Sequence, residues 1–248
     1  MYYYIFEPSQ GAGEYERLAR IKEYLAQLGI AGEMSSPSPG RTLEDLVELA
    51  VAKRYSTIIA IGDINLVNKV ARALEPYDAV FGIIPLQDHP DISQLIGVNT
   101  WQLAADQLKR RRFSSVRLGL MNKEIGFLTP AHLEIPSDQG FVIQTKQFEA
   151  SSLQGGSIQI DPCAEENTKQ LAVSINQQPP RQTGLLQQLF RRPTSLPTES
   201  IFRLNQCAIA TEQPVSVIVA GQNLLQTPVT FTSQTKTLKL IGAKATET

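Results

Sequence analysis

The stretch Ile58-Ile59-Ala60-Ile61-Gly62-Asp63-Ile64-Asn65-Leu66-Val67-Asn68-Lys69-Val70 decides the fold. A β-branched apolar run stops at a Gly-Asp pair, and a segment with Val67, Val70, Ala71 and Leu74 at helical spacing follows. A short run that is apolar at every position suits a strand covered on both faces, as in a parallel sheet. Strand, tight turn and helix form the layout in which α/β proteins hold a phosphate, because unpaired backbone N–H groups at a helix N-terminus face the anion.

Working outward, the first hundred residues alternate strand and helix. Tyr2 to Phe6 reads as a strand, and Leu18, Ile21, Leu25 and Leu28 as the apolar face of a helix ending near Gly29. Pro37-Ser38-Pro39-Gly40 is a loop. Thr42-Leu43-Glu44-Asp45 has the form of a capping box and opens a helix with Leu43, Leu46, Val47 and Ala50 on its buried side. Thr57 to Ile61 is a strand, a helix runs on from Leu66, and Ala79 to Ile84 is a further strand ended by Pro85. Helices between buried strands imply right-handed crossovers and a parallel sheet.

Past the basic run Lys109-Arg110-Arg111-Arg112 the period changes to two. Val116/Leu118/Leu120, Phe141/Ile143, Ala172 to Ile175, Val215/Val217/Val219, Val229/Phe231 and Leu238/Leu240 alternate with polar residues. The expected fold is a Rossmann-like α/β domain over residues 1–108 followed by an antiparallel β-sandwich over 109–248. Residues 176–200, rich in Gln, Pro and Arg, read as a long loop.

Composition narrows function. A formal net charge of −1 gives no bulk attraction to nucleic acid. Cys163 and Cys207 are too few and too far apart for a disulfide framework or a cysteine zinc site, and read as buried thiols. His89 and His132 stand alone, without metal-ligand spacing. The apolar start Met1 to Phe6 is too short for a signal peptide, and no apolar run reaches the roughly 20 residues that span a bilayer. A cytoplasmic location is the expectation. The basic run after Asp106 reads as a solvated helix end favoured by the helix dipole.

Three strand ends carry ligand-type turns: Glu7-Pro8-Ser9-Gln10-Gly11-Ala12-Gly13, Ile61-Gly62-Asp63, and Pro85-Leu86-Gln87-Asp88-His89-Pro90-Asp91. All three fall at the carboxyl edge of one sheet, where open α/β sheets bind ligands. Their order resembles the diacylglycerol kinase catalytic-domain family, soluble bacterial lipid kinases in particular. That family opens with Asn-Pro-x-Ser-Gly, carries Gly-Gly-Asp-Gly-Thr followed by Asn-Glu, and then Pro-Leu-Gly-Thr-x-Asn-Asp near Leu-Gly-Ile. Here the corresponding pieces are Glu7 to Gly11, Ile61 to Asn65 with Asn68-Lys69, and Pro85 to Asp91 with Ile96-Gly97-Val98. In the second half, Met121-Asn122-Lys123 with Phe127, Thr211 to Gln222, and Pro228 with the strand Thr237 to Ile241 continue the likeness.

The resemblance implies an ATP- and magnesium-dependent lipid kinase. The nucleotide would lie against Gly11, Ser35, Gly62, Asp63, Asn65 and Asp88, and the general base at the position of Gln222. This chain departs from the pattern at most of them. Ile61 and Ile64 replace glycines, Asn65 and Asp88 replace threonines, and Gln222 replaces the Glu of Asp-Gly-Glu, with Ala220 at its Asp. An amide cannot accept the proton of the lipid hydroxyl, and a placed general base is worth ~10²–10⁴ in rate. The magnesium-placing acidic segment of the family's β domain has no clear counterpart.

The expectation is a divergent, catalytically impaired relative, a pseudoenzyme that binds a lipid, a nucleotide or a protein. The alternative is an active lipid kinase of phospholipid metabolism with a non-standard site. Leu185, Leu186, Leu189 and Phe190 beside Arg191 and Arg192 are candidates for touching an anionic membrane, peripherally at its inner face, against the reading of an apolar loop folded on the sandwich. A homodimer is left open.

Overall fold

The computed structural model describes residues 1–7, 11–162, 170–177 and 198–242. Its first part runs β1 (Tyr2–Phe6), α1 (Ala12–Gln27), β2 (Glu33–Ser35), α2 (Leu43–Ala52), β3 (Thr57–Gly62), α3 (Ile64–Leu74), β4 (Val80–Pro85), α4 (Pro90–Ile96) and α5 (Trp101–Arg110). The strands lie in the order β2-β1-β3-β4, all parallel. Every residue of β3 is buried, as its unbroken apolar run requires of a central parallel strand. Alternate side chains serve two cores. Ile58 and Ala60 pack with α2 and α3, whereas Ile59 and Ile61 pack with α1 and α5.

Local signals account for the helix ends. Thr42 and Asp45 form the capping box of α2, with Thr42 N to Asp45 Oδ2 at 2.8 Å and Asp45 N to Thr42 Oγ1 at 3.2 Å. α3 starts at Ile64 and not at Leu66, because Asp63 caps it. The short helix α4 has Pro90 in its first turn and ends on Gly97 in the left-handed region, the usual proline-first, glycine-last signature.

The second part comprises β5 (Phe113–Met121), β6 (Ile125–Phe127), β7 (Ala131–Ile135), β8 (Phe141–Gln144), β9 (Glu149–Ser152), β10 (Gly156–Asp161), β11 (Leu171–Gln177), β12 (Thr198–Leu204), β13 (Gln206–Thr211), β14 (Ser216–Val219), β15 (Gln222–Gln226) and β16 (Val229–Ile241). One sheet has the order β12-β11-β10-β7-β14-β15. It faces β16, β13 and β8 across a core that includes Leu133, Ile158, Val173, Val217, Ile209 and Phe231. Together the parts form a Rossmann-like α/β layer and an antiparallel β-sandwich.

β5 and β16 join the two parts. Their sandwich halves pair at Met121↔Phe231 to Gly119↔Ser233, and their other halves at Arg117↔Thr237 to Phe113↔Ile241. Between these halves β16 bulges, and the Arg117 guanidinium donates to the carbonyls of Gln234 and Thr235 there. Beyond the bulge, Leu240 pairs with Phe81 in parallel. The last strand therefore returns to the α/β sheet and extends it past β4. Residues 178–197, including Leu185 to Arg192, and Cys163 lie outside the described residues. β11 and β12 extend to Gln177 and from Thr198 into the segment read from sequence as loop.

Candidate functional site

The sheet register aligns the strand ends. Ser35 pairs with Ile5, Phe6 with Ile61, and Gly62 with Pro85. Leu86 N donates to the Gly62 carbonyl at 3.1 Å. Ser35, Gly62, Asp63 and the start of the β4–α4 loop thus share one carboxyl edge. Gly11 is on that edge too, as the exposed N-cap of α1.

At the central turn, Asp63 Oδ1 accepts from Leu66 N at 2.9 Å. Asn65 Nδ2 donates to Asp63 Oδ2 at 3.3 Å. The helix N-terminus thus already carries its own carboxylate, which satisfies one N–H and lends the negative charge that the helix dipole favours there. Gly62 does not leave open space. A Cβ built on it would stand 2.6 Å from Leu66 Cδ2, and Leu66 is fully buried. The absence of a side chain at Gly62 is used for packing its own helix. Ile61 and Ile64 are buried in the two cores on either side of the sheet.

The other expected positions are dispersed in role. Exposed Asp88 accepts from Ser93 Oγ at 3.1 Å. Lys69, where the family has Glu, lies 3.5 Å from Glu7, and both are about two-fifths exposed, a pairing weakened by solvent. Gln222 opens β15 as an exposed residue after the turn Ala220-Gly221, whose φ angles of 54° and 75° are both left-handed. The paired neighbours Val219 and Gln222 make this a two-residue hairpin turn, which requires positive φ at both positions. Ala220 packs against both the α/β core and the sandwich core, so this hairpin tip sits at the junction of the two parts.

One residue binds that junction. Asn68, 5 % exposed, lies in α3 and uses both ends of its amide. Its Nδ2 donates to Ile64 O at 3.0 Å and to Thr129 Oγ1 at 2.8 Å. Its Oδ1 accepts from Leu128 N at 2.8 Å and Thr129 N at 3.3 Å. Sequence reasoning quoted Asn68 only as a family position. Its role as a fully hydrogen-bonded clamp depends on a strand junction sixty residues away. The adjacent crevice between α4 and the sandwich, lined by Asp91, Gln94, Leu95, Leu128, Thr129, Pro130 and Asp161, holds only about 10 Å³.

Asp63 is engaged at its own helix, Asp88 holds Ser93, and among the described residues no three His, Cys, Asp or Glu side chains gather where a metal would be held. His89 caps α4 through Nδ1, 3.3 Å from Asp91 N, and His132 sits within β7. Lys109 and Arg110 end α5. Arg111 Nη2 reaches Ser56 and Thr57 at the opposite, amino edge of the sheet. Cys207 is buried, which pushes its thiol up to about 12. No helix among the described residues is long and apolar enough to cross a membrane.

No protein-family model and no curated protein matches the sequence. Solved structures do match, along almost the full length. A diacylglycerol kinase from Bacillus anthracis str. Sterne superposes with a TM-score of 0.70 at 16 % identity, over 98 % of this chain and 97 % of that one. Two further structures from the same organism, described provisionally as diacylglycerol kinases, give TM-scores of 0.72 at 16 % identity and 0.70 at 17 % identity. The first covers 98 % of this chain and 97 % of its own, the second 99 % and 98 %. The chain thus has the fold of the bacterial diacylglycerol kinases, over both of its parts and in the same order.

Proposed function

We propose that the protein is a lipid-kinase-like binding protein in which phosphoryl transfer from ATP has been lost. The observation that carries this reading is the β3–α3 turn. Ile61 and Ile64 stand where the resemblance puts glycines and both are buried in the flanking cores, so the turn lacks the glycines whose backbone would wrap the donor phosphates. Phosphoryl transfer is largely a matter of positioned phosphates and electrostatic stabilisation. Gln222 supports the same reading, because its amide cannot serve as the base. What the fold retains is a carboxyl-edge surface and a sandwich, both suited to binding. A lipid surface is the partner class that the fold resemblance favours, with Leu185, Leu186, Leu189, Phe190, Arg191 and Arg192 as the candidate contact segment and a peripheral, cytoplasmic-face location.

The test is transfer of labelled phosphate from magnesium ATP to diacylglycerol in mixed micelles. No turnover is expected from the parent chain, and none from Gln222→Glu, because the phosphate turn still has Ile61, Ile64 and Asn65. Turnover by the parent would favour the active-kinase reading. Turnover by Gln222→Glu alone would show that the turn is competent despite Ile61 and Ile64.

A further inference from the structure

The sandwich sheet of order β12-β11-β10-β7-β14-β15 ends on β12, which pairs only with β11 among the described residues. An edge strand presents a row of N–H and C=O groups that its own sheet does not use, a template for a further strand. β12 spans seven residues, Thr198–Leu204, with Ile201 at its centre. Side chains along a strand alternate between the two faces of the sheet. Leu204 lies in the sandwich core and Phe202 packs against it. Glu199, Ile201 and Arg203 therefore share the outer face, where all three are exposed, Ile201 by 56 %. An acid and a base thus stand at equal distances on either side of an exposed apolar residue. The other strands that end a sheet path, β2, β9 and β15, have three, four and five residues, and none carries charges of both signs.

We propose that β12 pairs antiparallel with β12 of a second copy of the chain, about a two-fold axis at Ile201. A two-fold axis makes a contact self-complementary: where residue i meets residue j, j also meets i. With Ile201 opposite its symmetry mate, Glu199 of each copy stands opposite Arg203 of the other, giving two ion pairs across one seam. Directly opposite residues of an antiparallel pair lie about 4.5–5.5 Å apart, where opposite charges stabilise and like charges destabilise. A parallel pairing in the same register would set Glu199 against Glu199 and Arg203 against Arg203, so the charges select the antiparallel one. This match of β12 to its own reverse favours a second copy over a strand of another protein. Phe148, 37 % exposed just before β9, contacts Phe202 with ring centroids 5.6 Å apart, so the facing sheet adds apolar surface beside the seam. The inference goes beyond the loss of phosphoryl transfer and is independent of it.

Sedimentation velocity of the full chain over about 1–100 µM reads the oligomeric state. The parent is expected to dimerise within this range. Glu199→Arg and Arg203→Glu each set like charges opposite one another at both pairs, and each is expected to weaken the dimer about tenfold or more. The two single variants mixed in equal amounts are expected to form a heterodimer, because each supplies the charge that the reversed residue of the other needs. The double variant Glu199→Arg/Arg203→Glu keeps both opposite-charge pairs and is expected to dimerise like the parent. These two rescues separate a lost contact from a misfolded chain, and circular dichroism checks the fold directly. A parent that stays monomeric throughout the range, a dimer that neither reversal weakens, or reversals that neither mixing nor the double variant rescues would each overturn the proposal. None of these outcomes depends on the transfer assay, and turnover in that assay leaves the seam untouched.

Discussion

Replacing Asn68 by leucine is the sharpest probe of how the two parts are held together. Leucine keeps nearly the same volume, so the change removes hydrogen bonds without opening a large cavity. Two buried backbone donors, Leu128 N–H and Thr129 N–H, lose their shared acceptor. Each buried donor left unpaired costs roughly 1–3 kcal/mol. The Thr129 bond is the longer of the two, 3.3 Å against 2.8 Å, and contributes less. The Thr129 hydroxyl, accepting at 2.8 Å from Asn68, also loses a partner. The sum is about 3 kcal/mol, a large fraction of the ~5–15 kcal/mol that stabilises a typical domain. For a chain of this size, 1 kcal/mol moves the melting temperature by about 2–4 °C, which gives a fall of about 6–12 °C. Thermal unfolding followed by circular dichroism measures it. Asn68→Ala, which adds a cavity, is expected to fall further. A leucine variant melting within about 2 °C of the parent would refute the clamp, because it would show that the freed N–H groups find other partners at no cost.

Three further outcomes follow from the same geometry. Ala220→Gly is expected to stabilise by about 1 kcal/mol, since φ of 54° is unfavourable for alanine and open to glycine, and a raised melting temperature reports it; a fall would mean that the packing of the Ala220 methyl at the junction outweighs the backbone strain. Gly62→Ala is expected to destabilise by about 1–3 kcal/mol through its clash with Leu66, with Leu66→Ala in the same chain relieving that clash, so a double variant showing no coupling by denaturant titration would remove the packing account of this glycine. Glu33 is held below the usual carboxylate range by hydrogen bonds from Lys53 and Tyr55. Its contribution is therefore present above about pH 5 and lost as pH falls through the lowered folded value. Glu33→Gln should melt below the parent at neutral pH and converge with it in acid. A gap that widens on acidification would contradict the linkage.

By itself the sequence determined the layers and much of the central turn's chemistry. The unbroken apolar run before Gly62 demands a strand covered on both faces. The helical spacing after it supplies one cover, and the switch to period two beyond Lys109 demands an antiparallel sheet with one buried face. These are local properties, because side-chain direction repeats every two residues in a strand and every 3.6 in a helix. Asp63 was legible as the end of a strand-to-helix turn, and the order of motifs put Gln222 at the family's base position as an expectation. The helix start at Ile64 was within reach as well, since an aspartate before a helical run is a cap signal.

Tertiary structure decided what depends on residues distant in the chain. Leu240 is an alternating apolar residue whether its strand stays in the sandwich or returns to pair with Phe81. In the fold that strand bulges between Ser233 and Thr237, where Arg117 donates to the Gln234 and Thr235 carbonyls, and beyond the bulge it pairs with β4. Asn68 is legible in sequence only as a position of the family pattern, and becomes the buried clamp because Leu128 N–H and Thr129 N–H meet its Oδ1. Gly62 reads as part of a phosphate turn, and the packing of Leu66 is what keeps a side chain from that position. Hydrophobic period specifies which face of an element is buried; which partner covers it, and what space remains for a ligand, is set by close packing between elements far apart in the chain.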